Sequence, residues 1–182
     1  MGLDMFLTKK TYVKNWDHQS DEQKHEITVL KGGKPRQDIK PKRISYIEEE
    51  VAYWRKFNAL HAWFVKNCGD GEDECQPIYV PVEKLEEVLG ILKQVKEKLD
   101  NSKLVKKSIK TWNGESVEID VYDCEEEVTE LFSPQSGFFF GSTEIGEWYK
   151  NDVIDAIEVF EEILKEEELN GNNGEYYYQA SW

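Results

Sequence analysis

Residues 45–67 hold the densest run of aromatic and aliphatic side chains in the chain, interrupted by a few polar ones, and the rest of the fold must pack around them. Ser45 is a suitable N-cap, and Glu48, three residues on, can reach back to its amide in a capping box, with Glu49 and Glu50 also favoured beside a helix N-terminus. Ile47, Val51, Trp54, Asn58, His61 and Val65 recur at helical spacing, and Tyr53, Phe57, Leu60 and Phe64 form the adjoining row. The spacing therefore predicts one central helix over residues 45–67, roughly 34 Å long at 1.5 Å per residue. Asn58 and His61 lie within its apolar face, with Arg55 one turn before Asn58 and Trp63 at the flank. Buried polar groups need partners, so either neighbouring groups of the fold satisfy them or a ligand does. The sequence leaves both readings open.

Ahead of this stretch, Leu3, Met5 and Leu7 alternate with Asp4, Phe6 and Thr8, the period of a strand over about residues 2–13. Ile27 and Val29 alternate in a second strand that Gly32 and Gly33 close. Residues 31–43 carry Lys31, Lys34, Arg36, Lys40, Lys42 and Arg43 against Asp38 alone, and Pro35 and Pro41 argue for a mobile basic arm without regular structure. Beyond the central stretch, residues 77–80 suit a short strand, and Leu85, Val88, Leu89, Leu92, Val95 and Leu99 mark an amphipathic helix. Asn113 and Gly114 favour a hairpin turn between arms at about 104–112 and 115–122, with Lys103, Lys106, Lys107 and Lys110 along one arm. A short helix is expected over residues 125–132, a buried strand over 137–141, and a last long helix that Ser142 or Thr143 caps. Ile145, Tyr149, Val153, Ala156, Phe160 and Ile163, with Trp148, form that helix's inner stripe, and residues 176–182 have strand composition to the final tryptophan.

Charge divides the chain. Up to residue 114 there are 21 Lys and Arg against 18 Asp and Glu; from residue 115 there are 2 against 19, within a net charge of −14. Such an imbalance keeps a protein soluble, and it also suits a molecule that docks into the basic channel of a nucleic-acid-handling protein. The basic runs in turn suit phosphate backbones or an acidic partner.

Chemistry is less plainly written. His61 is the one histidine on a strong secondary element; with Arg55, Lys56 and Asn58 around it, it is a candidate acid or base beside a phosphate clamp for metal-independent RNA cleavage, His61 and Arg55 being the catalytic candidates. Tyr53, Trp54, Trp63, Trp112, Trp148 and residues 176–178 offer rings for base stacking if exposed, although helix stripes bury first. No phosphate-cradling glycine loop, nucleophile elbow or zinc pair is present. Asp70, Glu72 and Glu74 alternate as calcium ligands do, without the glycine and closing glutamate of such a loop, so an exposed acidic turn is expected. Cys68, Cys75 and Cys124 read as reduced thiols. With no long apolar run, no secretory signal and Phe6 where myristoylation requires Ser or Thr, the expected compartment is the cytoplasm.

The opening MGLDMFL at residues 1–7 with KTYVKNW at 10–16, YWRKFNALHAWFV at 53–65, GFFFGST at 137–143 with EWY at 147–149, and the ending YYQASW at 177–182 together resemble a family of small proteins from bacteriophages and mobile elements of Gram-positive bacteria. Some phage proteins of this type are similar to anti-CRISPR inhibitors of the type II RNA-guided DNA nuclease, one route of which is loss of an intact guide RNA. The resemblance implies a counter-defence protein and carries over no residue role.

The expectation is thus one α+β domain, a mostly antiparallel sheet of the N-terminal strands, the 137–141 strand and the C-terminal strand, packed by three long helices. It needs no cofactor or metal, and its partner is the host nuclease or its guide RNA in the bacterial cytoplasm. Contacts fall to Arg55, Asn58, Trp63, Trp148 and Tyr149, and to Lys34, Arg36, Lys40, Lys42, Arg43, Lys106 and Lys107. The rival readings are a sponge or hydrolase for a nucleotide immune signal, using a pocket of Arg55, Asn58 and His61 with Trp148 and Tyr149, and a structural or regulatory phage protein without catalysis.

Overall fold

The alternation of Leu3, Met5 and Leu7 becomes strand β1, Asp4–Tyr12, with those three side chains fully buried. The computed structural model describes residues 2–110, 113–171 and 174–182. A two-residue hairpin follows, β2 at Leu30–Lys31 and β3 at Lys34–Pro35, turning through Gly32 and Gly33 at φ +58° and +77°, the conformation that favours glycine in such turns. Residues 31–43, expected to lack regular structure, thus contain a hairpin and a 3₁₀ turn at Pro41–Arg43; the strand expected at Ile27 and Val29 begins only at Leu30.

Residues 45–67 are not one helix. Their first half is strand β4, Tyr46–Arg55, and only Asn58–Cys68 is helical, as α1. β4 pairs with β1 from Tyr12↔Tyr46 to Asp4↔Arg55, and the Ser45 carbonyl accepts from the Val13 amide instead of Ser45 capping a helix. The register slips between Leu7 and Thr8, which face Ala52 and Glu50, so Val51 is the extra residue of a bulge. Before the bulge the strand is exposed on both faces, and only Ala52 and Trp54 alternate inward. Two inward positions are too few to display a period of two, whereas Ile47, Val51 and Trp54 imitate a helical one. A ten-residue ladder to β1 then outweighs the helical preference of the glutamates.

Strand β5 at Ile78–Val80 and helix α2 at Val82–Asp100 come next, then the hairpin of β6, Leu104–Lys110, and β7, Ser116–Tyr122, paired from Leu104↔Tyr122 to Lys110↔Ser116. Helix α3 spans Glu125–Leu131, helix α4 Glu147–Asn170, and strand β8 Gly174–Ser181. Trp112 of the predicted hairpin and Asn172 and Asn173 of the turn before β8 lie outside the described residues.

The sheet order is β4-β1-β8-β5, every pairing antiparallel, so both chain ends meet at its centre. Met5, Leu7, Trp54, Val80, Tyr176 and Tyr178 point from one face into the core, against Leu60 and Phe64 of α1, Leu92 of α2 and Phe160 of α4. Each such aliphatic or aromatic side chain contributes roughly 1.5–3 kcal/mol by leaving water. The opposite face carries Phe6 against Tyr53 and Tyr79 against Tyr177, with Tyr53 and Tyr79 about half exposed. The molecule is α+β as expected, with two long helices, α2 and α4, and a third, α1, of 11 residues. Among the described residues no helix is long and apolar enough to cross a membrane.

Residues 137–141 form a turn rather than a strand. Phe140 N–H donates to the Gly137 carbonyl, Gly141 sits at φ +89°, and Phe138 stands 96% exposed while Phe140 is buried. Nor do Ser142 and Thr143 cap α4: Gly146 occupies its N-cap, and the Ser142 hydroxyl accepts from the Glu144 amide.

Candidate functional site

Asn58 opens α1 and is 3% exposed. Its Nδ2 donates to the carbonyls of Phe140 at 3.1 Å and Ser142 at 2.7 Å, and its Oδ1 accepts from the Gln135 amide at 3.2 Å. One side chain thus holds the segment leading into α4 by three main-chain bonds. Its polarity is accounted for by the protein itself.

One turn on, His61 is 0% exposed. Nε2 lies 3.0 Å from Asp73 Oδ2 and Nδ1 2.8 Å from the Tyr178 hydroxyl. An ionised carboxylate only accepts, so Nε2 carries a hydrogen toward Asp73. Burial pushes the Tyr178 hydroxyl well above the ordinary tyrosine range, with Asp73 adding to the shift, so the phenol remains a donor to Nδ1. Asp73 also accepts from the Trp182 indole at 3.3 Å, tying the last residue to the acidic turn. Both ring nitrogens are therefore engaged and no face of the ring meets solvent, which leaves His61 a bridge among α1, the 69–76 turn and β8. Replacing Tyr178 by Phe removes one hydroxyl and strands Nδ1 in the core; the expected cost is about 2 kcal/mol by urea unfolding. A change below about 0.5 kcal/mol would show that the bridge contributes little.

Trp63 is also core, with Lys84 over its ring. Among the described residues no three His, Cys, Asp or Glu side chains converge to hold a metal, and Asp73, within the alternating acids, turns to His61 instead.

Arg55, Asn58, Trp148 and Tyr149, singled out in separate parts of the sequence, do come together. They line an open cleft of about 660 Å³ between the β4–α1 junction, β7 and the first turns of α4. Arg55 is well exposed, its Nε 3.8 Å from Asp4. Trp148 is 85% exposed at the mouth, whereas Tyr149 is buried, its hydroxyl donating to the Phe132 carbonyl at 2.7 Å. Lys56, which the sequence sets beside Arg55, lines the same cleft, as do Glu144, Glu147 and Asp152, which sequence reasoning missed as site residues. Lys56 occupies φ +63°, a conformation that costs a non-glycine residue about 1–2 kcal/mol. Asp152 stands three residues after Tyr149, on the margin of the apolar stripe, the one signal that could have found it.

Burial, and then the charge of Asp155, raises the Asp152 carboxyl to about 6. A carboxyl held above its unfolded value of 3.8 stabilises the fold only while protonated. Its contribution is complete at acid pH and is lost as pH rises through about 6. Asp152→Asn should consequently stabilise the protein at about pH 8, by roughly 1 kcal/mol once the remaining solvent access is allowed for, and not at about pH 3.5. Urea midpoints at the two pH values measure the difference, and equal gains at both would rule out ionisation as the cause.

The two basic runs lie on different sheets. Among the described residues β2 and β3 form one two-stranded sheet and β6 and β7 another. Lys106 pairs with Asp120 and Lys107 with Glu125, so the middle of the β6 run is neutralised by its own neighbours, and Arg36 pairs with Asp38. Lys34, Lys40, Lys42 and Arg43 are exposed and, among the described residues, in no ion pair.

On the outer side of α4, opposite its buried stripe, Asp155, Glu158, Glu162 and Glu166 are exposed in one row, and none is in an ion pair among the described residues. Compared with protein-family models, curated proteins and solved structures, the chain finds no match.

Proposed function

We propose that the protein is a counter-defence inhibitor that acts in the host bacterial cytoplasm by occupying the cationic nucleic-acid channel of a type II RNA-guided nuclease. The observation that carries this reading is the unneutralised row on α4. Asp155, Glu158, Glu162 and Glu166 follow one another at three or four residues, hence about one carboxylate per 5–6 Å of helix axis. That line charge is within a factor of about two of a single DNA strand, which carries one phosphate per 3.4 Å. A channel lined by lysine and arginine would meet it with the same complementarity that it offers its nucleic acid. The free cations Lys34, Lys40, Lys42 and Arg43 would then contact guide-RNA phosphates beside the channel. The resemblance to phage proteins supports the choice of target, and the sealing of His61 favours occupancy over guide cleavage.

The test adds purified protein to nuclease, guide and target DNA and follows both DNA cleavage and guide length on one gel. The expected result is loss of cleavage with a full-length guide. Unimpaired cleavage without binding would end the proposal, and a shortened guide would replace occupancy with RNA cleavage.

A further inference from the structure

We infer that the cleft between the β4–α1 junction and the start of α4 binds a nucleoside phosphate whose base carries an exocyclic amine. This site is distinct from the acidic row and stands independently of the inhibitor reading.

The volume, about 660 Å³, lies within the range of small-molecule sites. One wall supplies positive charge. Arg55 has only a long contact to Asp4, and Lys56 has no ion pair among the described residues, so both can turn to a phosphate. Trp148 supplies a ring. An indole left 85% exposed gains nothing from the core, whereas a base stacked on it is worth about 1–3 kcal/mol.

The remaining wall selects among anions. Of its carboxylates, Asp120 is engaged by Lys106 and Glu147 accepts from the Tyr122 hydroxyl, leaving Glu144 and Asp152 without a side-chain partner among the described residues. Two free carboxylates repel a plain polyanion. They welcome a ligand that is anionic at one end and a hydrogen-bond donor at the other, which is the polarity of a nucleotide bearing a base amine; acidic side chains accept from such amines. Asp152 is half-buried, so its acceptor is poorly solvated before the ligand arrives and loses little water to it. The cleft wall also holds its one strained residue, Lys56 at φ +63°, its chain packed against Gly141 at φ +89°. Strain of that kind gathers where a ligand is gripped.

Isothermal titration with AMP, GMP, CMP, UMP and inorganic phosphate tests the assignment, because uracil alone of the four bases lacks the amine. AMP, GMP or CMP should bind one per chain at or below about 1 mM, with UMP and phosphate about tenfold weaker or worse. Trp148→Ala and Arg55→Ala, both at exposed positions, should each weaken the best nucleotide by about tenfold with an unchanged circular dichroism spectrum. Asp152→Ala should narrow the gap between that nucleotide and UMP. The assignment is overturned if none of the nucleotides binds at about 1 mM, if UMP binds as well as the others, or if Trp148→Ala and Arg55→Ala leave affinity unchanged. None of these outcomes bears on nuclease inhibition, so the two proposals fail separately.

Discussion

Changing the α4 row to lysine, with Asp155→Lys, Glu158→Lys, Glu162→Lys and Glu166→Lys together, should abolish inhibition of the nuclease, weakening binding by at least about a hundredfold. The four positions are solvent-exposed and free of ion pairs among the described residues, so each substitution should shift stability by no more than about 0.5 kcal/mol. Lysine is an adequate helix former, and toward the end of α4 a cation is favoured by the helix dipole. Folding is thus preserved while the face presented to a cationic channel changes sign. Like charges brought together at an interface cost several kcal/mol, enough for the hundredfold loss. Changing instead Glu126 and Glu130, exposed on α3, should leave inhibition within about twofold, since neither belongs to the row. A quadruple variant that inhibits as well as the parent protein would remove α4 from the interface.

The largest effect on stability is expected at Asn58. Asn58→Ala strands the carbonyls of Phe140 and Ser142 and the amide of Gln135 at once. Each buried group left unpaired costs about 1–3 kcal/mol, and partial rewetting of the loop returns some of it, so a net loss of about 3–4 kcal/mol follows. That is a large share of the 5–15 kcal/mol typical of a whole domain. Asn58→Asp is the sharper variant. It retains an acceptor for Gln135 but points negative charge at two carbonyls, so it should be at least as damaging as alanine despite its shape. In urea unfolding, both should lower the midpoint with little change in slope, and the Gln135 amide should exchange its hydrogen faster. Wild-type stability in Asn58→Ala would mean that other contacts hold the loop, and the account of Asn58 as its clasp would be withdrawn.

What was legible in the chain was whatever a single period announces. β1, α2 and the β6–β7 hairpin follow from alternation, a helical stripe and an Asn-Gly turn, because each carries its signal complete within its own residues, even β1, whose pairing partners β4 and β8 are distant in sequence. β4 was not legible. It is an edge strand, exposed on both faces before its bulge, and its pairing partners lie 34 to 51 residues earlier. Residues 137–141 misled for a related reason: three phenylalanines between glycines have strand composition, yet Gly141 at positive φ turns the chain and sends Phe138 outward while Phe140 goes in. For the site, the oddity of Asn58 and His61 on an apolar face was visible, but not its resolution. Apart from Asp73, 12 residues on from His61, their partners Gln135, Phe140, Ser142 and Tyr178 come from 77 to 117 residues away, and only the folded chain brings them near. Arg55 and Trp148 each stood out in the sequence, whereas their common cleft depends on where α4 begins. Charge was read correctly in total and incompletely in arrangement, since pairing silences Lys106 and Lys107 and leaves the α4 row free.

The central claim, that an anionic face enters a cationic channel, is tested most directly by the salt dependence of binding to the purified nuclease–guide complex. Exposed charges are screened over about 10 Å at 0.1 M salt. The dissociation constant should therefore rise by about tenfold or more between about 50 mM and 200 mM salt, and the rise should disappear in the lysine variant of the row. Binding of equal strength at both salt concentrations, or no binding at either, would contradict the claim.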